Sequence, residues 1–321
     1  MSRDRNVPRP SHTPSARPPA NPAGERCGFV AIVGRSNVGK STLINRLVGE
    51  KIAIVSPVPQ TTRHRILGVK NVPRGQILYL DTPGFHKPQF RLNREMLETA
   101  REALKDADLI VCLVDASEGI GPGDRFVFRQ LRELRAPVIL VLNKIDLMAR
   151  AALLPMIDAV RREGEFAEIV PVSAADGTQC DLLEEIIVGR LPLHPPFYPP
   201  EVLTDQPERL LAAEMIREQV LHLTREEIPH AVAVVVDRFA ELEGGGLRID
   251  ATVLVERESQ KGIVVGRGGQ MLKEIGSRAR QEIGDRLGRP TSVFLWVRVQ
   301  RNWREDEKVL ERLRGQGAPG A

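Results

Sequence analysis

Phe29-Val30-Ala31-Ile32-Val33-Gly34-Arg35-Ser36-Asn37-Val38-Gly39-Lys40-Ser41-Thr42 decides how the first half of this chain is read. An apolar run ends on a glycine, the spacing G-x-x-x-x-G-K-[ST] follows, and helical spacing continues over residues 40–49. Strand, glycine-rich loop and helix in that order form a phosphate cradle. Gly34 and Gly39 let the backbone N–H groups of the loop, from Arg35, Ser36, Asn37 and Val38 onward, turn inward around a triphosphate. The helix start adds its partial positive charge. Lys40 is expected at the β- and γ-phosphates, and the Ser41 hydroxyl on Mg²⁺, with Thr42 next to it in the binding set. A glycine-rich turn with a stray lysine is the plainer alternative, and it leaves the strand-to-helix context unexplained.

Short apolar runs recur downstream at Ile77–Leu80, Leu109–Val114, Val138–Leu142 and Ile169–Val172. Between them, residues 92–105, 124–134, 151–162 and 181–190 carry helical spacing. Buried strands alternating with helices predict an α/β domain with a mostly parallel sheet flanked by helices. The rhythm stops at His194-Pro195-Pro196-Phe197-Tyr198-Pro199-Pro200, whose prolines predict a stiff, extended linker over 194–204. Beyond it the order is a helix near 207–226, strands near 231–239 and 247–257, a helix opening near 269 and a strand near 292–300. That pattern is a smaller α+β domain.

The chain has 321 residues, 42% of them hydrophobic and 27% charged, which suits a globular protein of two domains. Its longest apolar runs fall far short of the ~20 residues that cross a bilayer. Residues 1–26 lack an apolar h-region and are rich in Pro, Arg and Ser, so they predict a disordered tail and no secretory signal. Residues 305–321 are expected to be a second tail. Cys27, Cys112 and Cys180 are odd in number and fit no disulfide or zinc spacing, which points to a reduced, cytoplasmic protein. The formal charge of +4 conceals +6 over residues 262–304 and +3 over residues 1–26. Positive ends on a negative middle suit contact with a polyanion, although a solvated basic helix face gives the same count.

Asn143-Lys144-Ile145-Asp146 follows the run Val138–Leu142 directly. Ligands of such sheets bind outside the carboxyl ends of the strands. The Asp146 carboxylate can accept from guanine N1–H and the 2-amino group together, and adenine would face it with a lone pair. Asn143 suits the N7 side of the base and the Lys144 stem its face. Ser173-Ala174-Ala175, after Ile169–Val172, is placed to offer a backbone N–H to guanine O6. Asp81-Thr82-Pro83-Gly84 ends the run Ile77–Leu80. There Asp81 would hold Mg²⁺ through water and the Gly84 N–H would sense the γ-phosphate, where a lone aspartate would otherwise read as a helix cap.

In the second domain, Gly266-Arg267-Gly268-Gly269 stands between Ile263-Val264-Val265 and a helix with Met271, Leu272, Ile275 and Ala279 at helical spacing. A G-x-x-G turn lets the backbone approach about four nucleotides while a neighbouring groove reads unpaired bases. Arg267 can meet a phosphate, with Lys261 and Lys273 nearby. A glycine-rich helix start with no ligand is the alternative.

The order of P-loop, D-x-x-G, N-K-x-D and S-A resembles the translation-factor-like small GTPases. Gln60-Thr61-Thr62-Arg63-His64-Arg65-Ile66-Leu67-Gly68 and Asp81-Thr82-Pro83-Gly84-Phe85-His86 look like the Era family of bacterial GTPases. So do Asp205–Glu218, Glu227-Ile228-Pro229-His230, Glu256–Gly266 and Leu295-Trp296-Val297-Arg298-Val299. The likeness covers roughly residues 27 to 304. It implies a GTPase domain over 27–193 and a type II KH domain over 205–304. The KH domain would bind small-subunit (16S) ribosomal RNA near its 3′ end during assembly of the 30S subunit. It implies a switch threonine on Mg²⁺, Thr62 or alternatively Thr61. The catalytic set is then Lys40, Asn37, Thr62 and Gly84, and the metal set Ser41, Thr62 and Asp81. Phe85 stands where Ras-like enzymes orient water with glutamine, so slow turnover is expected. Resemblance to potassium-activated GTPases makes Asn37 a candidate ligand for K⁺. A monomer is expected, with peripheral contact at the inner face of the cell membrane as a further partner. Two other functions compete: a tRNA-modification or membrane-associated GTPase, and an RNA-binding protein whose nucleotide site is only structural.

Overall fold

A computed structural model describes residues 24–58, 61–63, 65–84, 90–224 and 228–316. Gln60, His64, Phe85, His86 and Glu227 lie outside them, as does the 1–23 part of the expected tail. The first domain is built on six strands: β1 (Arg26–Gly34), β2 (Ile66–Val72), β3 (Gly75–Asp81), β4 (Leu109–Asp115), β5 (Val138–Asn143) and β6 (Glu168–Pro171). They lie in the order β2-β3-β1-β4-β5-β6, parallel except for β2 against β3. Helices α1 (Lys40–Val48), α2 (Arg91–Lys105), α3 (Pro122–Leu131), α4 (Leu153–Arg161) and α5 (Cys180–Arg190) cover both faces. Alternation along β1 divides the core. Val30 and Ile32 pack under α1 and α5 with Leu43 and Leu183. Ala31 and Val33 pack under α2, α3 and α4 with Leu97, Phe128 and Val160. The chain leaves β1 toward β2 and leaves β3 toward β4, so the carboxyl ends of β1 and β3 open a crevice between them. Gly34 and Asp81 end those two strands.

The linker is extended, as its prolines dictate, but it is bound along its length. The Gln76 amide donates to the Tyr198 carbonyl and accepts from the N–H groups of Phe197 and Tyr198. Val69 N–H donates to Leu203 O, and Thr204 bridges antiparallel to Gly68 on β2. Phe197 sets its ring against Phe29 at 5.1 Å.

The second domain runs α6 (Glu208–Leu223), α7 (Ile228–Ala231), β7 (Ala233–Glu241), β8 (Leu247–Val255), α8 (Glu258–Val265), α9 (Gln270–Leu287), β9 (Thr291–Val299) and α10 (Glu307–Gly315). Its sheet has the order β7-β8-β9, with β8 and β9 parallel. α6 and α9 pack on one face. One element goes unassigned by the sequence and one expectation is overturned. Ile263-Val264-Val265 lies in a helix, α8, capped where Gln260 Oε1 accepts the N–H groups of Glu256 and Arg257. The expected tail over 305–321 is instead folded as far as Gln316: Val309, Leu310 and Leu313 of α10 join Trp303 over Ala233, Val235 and Leu254. Apolar side chains at i, i+1 and i+4 give α10 the stripe that burial needs.

Candidate nucleotide and nucleic-acid sites

The phosphate loop is shaped by contacts that leave no room for side chains. A Cβ on Gly39 would lie 2.3 Å from Asn143 Nδ2, and its φ of 97° is left-handed. Asn143 is why. Its amide nitrogen donates to Val38 O at 2.7 Å, and its oxygen accepts the Ala174 N–H at 3.0 Å. Asn143 therefore clamps the phosphate loop to the Ser173-Ala174-Ala175 loop, and the Ala174 N–H is spent inside the protein. Arg46 of α1 reinforces this by donating to the Ala174 and Ala175 carbonyls, a role the sequence did not reveal.

Lys40 is buried and its ammonium donates to Gly34 O at 3.2 Å and Arg35 O at 3.0 Å. Burial draws its pKa down to about 8 against the pull of Asp81. Burial likewise pushes Asp81 up to about 6 despite Lys40, Ser41 and Thr62. A phosphate against Lys40 and a cation against Asp81 would reverse both shifts. Gly84 approaches the same loop: a Cβ there would sit 3.3 Å from Lys40 Nζ and from Ser36 N. Thr82 is tied back by its hydroxyl to Ile32 O, and Pro83 is buried beside it. Arg35 is turned away, bound to Asp124 in the first turn of α3 and to Glu118 in the turn before it, which removes it from the phosphate side.

Ser41 Oγ, Thr62 Oγ1 and Asp81 Oδ2 lie 2.9 to 3.1 Å from one another. Asp81 Oδ1 is buried with no hydrogen-bond partner. One carboxylate and two hydroxyls, with an unsatisfied buried oxygen, fit a hard cation such as Mg²⁺ that takes its remaining ligands from water and phosphate. The structure brings Thr62 into this group. Thr61 turns its hydroxyl to Val58 O instead. Ser36, Asn37, Ser41, Thr42, Thr62 and Gly84 line one cleft together with Lys144. Residues Ile54–Pro57 also line it, and no motif in the sequence marks them.

The base side is partly assembled. Lys144, at φ 65°, forms an ion pair with Asp115 at 2.6 Å. Burial alone would raise the Asp115 pKa, but bonds from Lys144 and Ser117 hold it below the usual value. Asp146 is exposed on the turn Ile145–Leu147 and bonds to no described residue.

The stretch from Lys51 to Arg63 is held by the second domain. Glu218 of α6 is 1% exposed, accepts the Val55 N–H and pairs with Lys51. Arg217 donates to the Thr61 carbonyl and pairs with Glu214 at 2.5 Å. Arg63 donates to Val232 O, and Ile54 belongs to the core under α6.

In the G-x-x-G turn, a Cβ on Gly266 would lie 2.6 Å from Met271 Cβ. Positions 268 and 269 face open space at positive φ. Arg267 and Lys273 are exposed, Lys261 is half-buried, and Ile263 presents an apolar surface beside the turn.

A guanine-type P-loop domain joined to a helix-flanked G-x-x-G domain defines a nucleotide-binding class with a nucleic-acid-binding module. The family model described as 50S ribosome-binding GTPase matches residues 29–144, and a KH domain model matches residues 227–304. The GTPase Era of Heliobacterium modesticaldum is 50% identical over 89% of this chain and 95% of its own. That of Geobacter metallireducens is 50% identical over 90% and 97%. A crystal structure of Era with MgGDPNP and nucleotides 1506–1542 of 16S ribosomal RNA superposes with a TM-score of 0.88. It is 44% identical and covers 92% of this chain and 100% of that one. A point variant of Aquifex aeolicus Era bound to GDP and AlF4⁻ gives 0.87 at 44% identity, over 91% and 100%. The chain belongs to the Era family of GTPases.

Proposed function

We propose that this protein is a GTP-hydrolysing switch that binds 16S ribosomal RNA near its 3′ end and acts in assembly of the 30S subunit. The observation that carries the reading is the dual attachment of residues 51–63. One side of that stretch supplies Thr62 to the oxygen cluster with Ser41 and Asp81. Its other side is bonded to Arg217 and Glu218 of the KH domain. A change at the γ-phosphate is thus felt by the RNA-binding domain. Lys40 and the loop N–H groups meet the charge that builds on the transferring phosphoryl. Ser41, Thr62 and Asp81 hold Mg²⁺, which when bound neutralises phosphate oxygens. Asp146 reads guanine, Lys144 lies along its face, and Asn143 positions both loops. Arg267, Gly268 and Gly269 take the RNA backbone, with Lys261 and Lys273 at its flanks. The GTPase unit spans 27–193 and the KH unit runs from 205 through α10. A GTPase devoted to tRNA modification does not account for the G-x-x-G module.

The test is RNA affinity in the two nucleotide states. Filter binding of a 16S 3′-end RNA is expected to be about tenfold tighter with a non-hydrolysable GTP analogue than with GDP. Equal affinities would sink the switch. Potassium extends the same site. Asn37, at φ 64°, donates its amide nitrogen to Pro57 O at 2.7 Å, which leaves the amide oxygen for a cation. Turnover is expected to rise in KCl over NaCl at equal ionic strength, and Asn37→Ala to remove the difference. Equal rates in both salts count against it. The working unit is a cytoplasmic monomer, its basic ends offering peripheral contact to an anionic membrane face. Among the described residues no helix is long and apolar enough to cross a membrane.

A further inference from the structure

The KH sheet has two unlike faces. Leu247, Ile249, Ala251 and Val253 of β8 lie under α6 and α9, and Val293, Leu295 and Val297 of β9 pack with them. The reverse face is sealed over β7 and the end of β8, where α10 and Trp303 cover Ala233, Val235 and Leu254. β9 is the edge strand, and among the described residues nothing covers its reverse face. Ser292, Phe294, Trp296 and Arg298 all point there and are all exposed. Phe294 is 45% exposed and Trp296 52%.

Large aromatic rings held in water at i and i+2 of one strand sit about 6.7 Å apart. An unstacked nucleotide step can span that distance, and sheet-borne aromatics spaced this way stack successive bases. The charges around the rings favour a polyanion. Arg248 lies over the Phe294 ring at 4.7 Å. The acids of this face are already engaged: Asp250 pairs with Arg248 at 3.0 Å, and Asp237 with Arg312 at 2.9 Å and the Thr252 hydroxyl at 2.6 Å. Arg238, Arg298 and Arg301 are exposed and have no acidic partner among the described residues. The polar neighbours Ser292, Thr252 and Asp250 make a poor surface for acyl chains.

We propose that Phe294 and Trp296, with Arg248, Arg298 and Arg238 around them, form a second single-stranded RNA surface that stacks two unpaired bases. This rests on the reading of the G-x-x-G turn as an RNA site. β9 is shared between the two surfaces, because α8 and α9 pack on its other face and Leu295 lies 3.5 Å from the Cβ position of Gly276 on α9. A strand leaving the G-x-x-G cleft needs only to cross the open edge of β9 to reach the rings. The cleft accounts for about four nucleotides, and the rings act on the nucleotides beyond them.

The experiment compares the full-length protein, its Phe294→Ser/Trp296→Ser form and its Arg267→Asp/Gly268→Asp form. Each is titrated with an RNA of about four nucleotides and one of roughly 12. The serine form is expected to bind the longer RNA about tenfold more weakly for each ring removed, and the short RNA as the parent does. The aspartate form is expected to lose both, and if it loses neither, the RNA reading of the turn fails by itself. Parent-like affinity of the serine form for the longer RNA, alongside loss in the aspartate form, overturns the proposal and assigns the rings to another partner. A second readout needs no variant. Trp303 is buried and bonded to Ala231 O, so quenching by acrylamide reports on Trp296. The longer RNA should protect it and the short one should not; protection by neither also overturns the proposal.

Discussion

The phosphate loop and the G-x-x-G turn are both glycine-rich entries to a helix, yet their glycines answer to different constraints. At Gly39 the obstacle is the protein itself, since the Asn143 amide occupies the space a side chain would take. At Gly34 it is the Leu113 carbonyl, 2.6 Å from the Cβ position. In the turn only Gly266 is confined this way, by Met271, while Gly268 faces solvent. The nucleotide loop is therefore fixed before any ligand arrives. The RNA turn keeps its shape through backbone conformation and keeps its bareness for what approaches from outside.

The sharpest way to break that contrast is to place one methyl group in each. Gly39→Ala meets both a left-handed φ and a filled site, so GTP affinity should drop about 1000-fold, near 4 kcal/mol. Gly268→Ala should cost at most about 1 kcal/mol of stability, leave GTP affinity alone and weaken RNA binding. Isothermal titration with GTP, beside thermal melts, reads both; a larger loss of GTP affinity in the second variant would reverse the comparison. Asp146→Asn comes next. Its carboxylate has no partner among the described residues, so the loss is one of ligand contacts: GTP should bind about 100-fold more weakly and XTP more tightly. A retained preference for GTP would remove Asp146 from the base site. The smallest effect is at the joint between the regions. Arg217→Met deletes the bond to the Thr61 carbonyl beside Thr62, and kcat/KM for GTP should fall about fivefold, near 1 kcal/mol. Unchanged hydrolysis would mean that the KH domain holds Thr62 in place without influencing it.

How far these features were legible follows the distance between the residues that make them. Gly34 to Ser41 and Asn143 to Asp146 are contiguous, so strand, loop and ligand chemistry could be read together. The Asn143 clamp joins partners 105 and 31 residues apart, and its structural task stayed hidden behind the base it was expected to touch. Strand β2 escaped notice because Gly68, Lys70 and Asn71 interrupt its apolar pattern at a sheet edge. Ile263-Val264-Val265 lies in a helix because Gln260 caps the turn before it and Val264 is buried, tertiary terms that override β-branched propensity. Lys51 and Glu218 look like ordinary surface charges until the fold sets them 2.6 Å apart.

The bound linker has a mechanical consequence. Its last backbone tie to the first domain is the bridge from Thr204 to Gly68, the Gln206 side chain adds a bond to Arg65 O, and α6 begins at Glu208. Beyond that bridge the connection is only Asp205 to Pro207, and even with the Gln206 bond released its reach is about 10 Å when extended. A tether that short lets the KH domain swivel but hardly lets it drift away, so α6 re-encounters residues 51–63 at an effective concentration in the millimolar range. Contacts too weak to hold two separate proteins together suffice here.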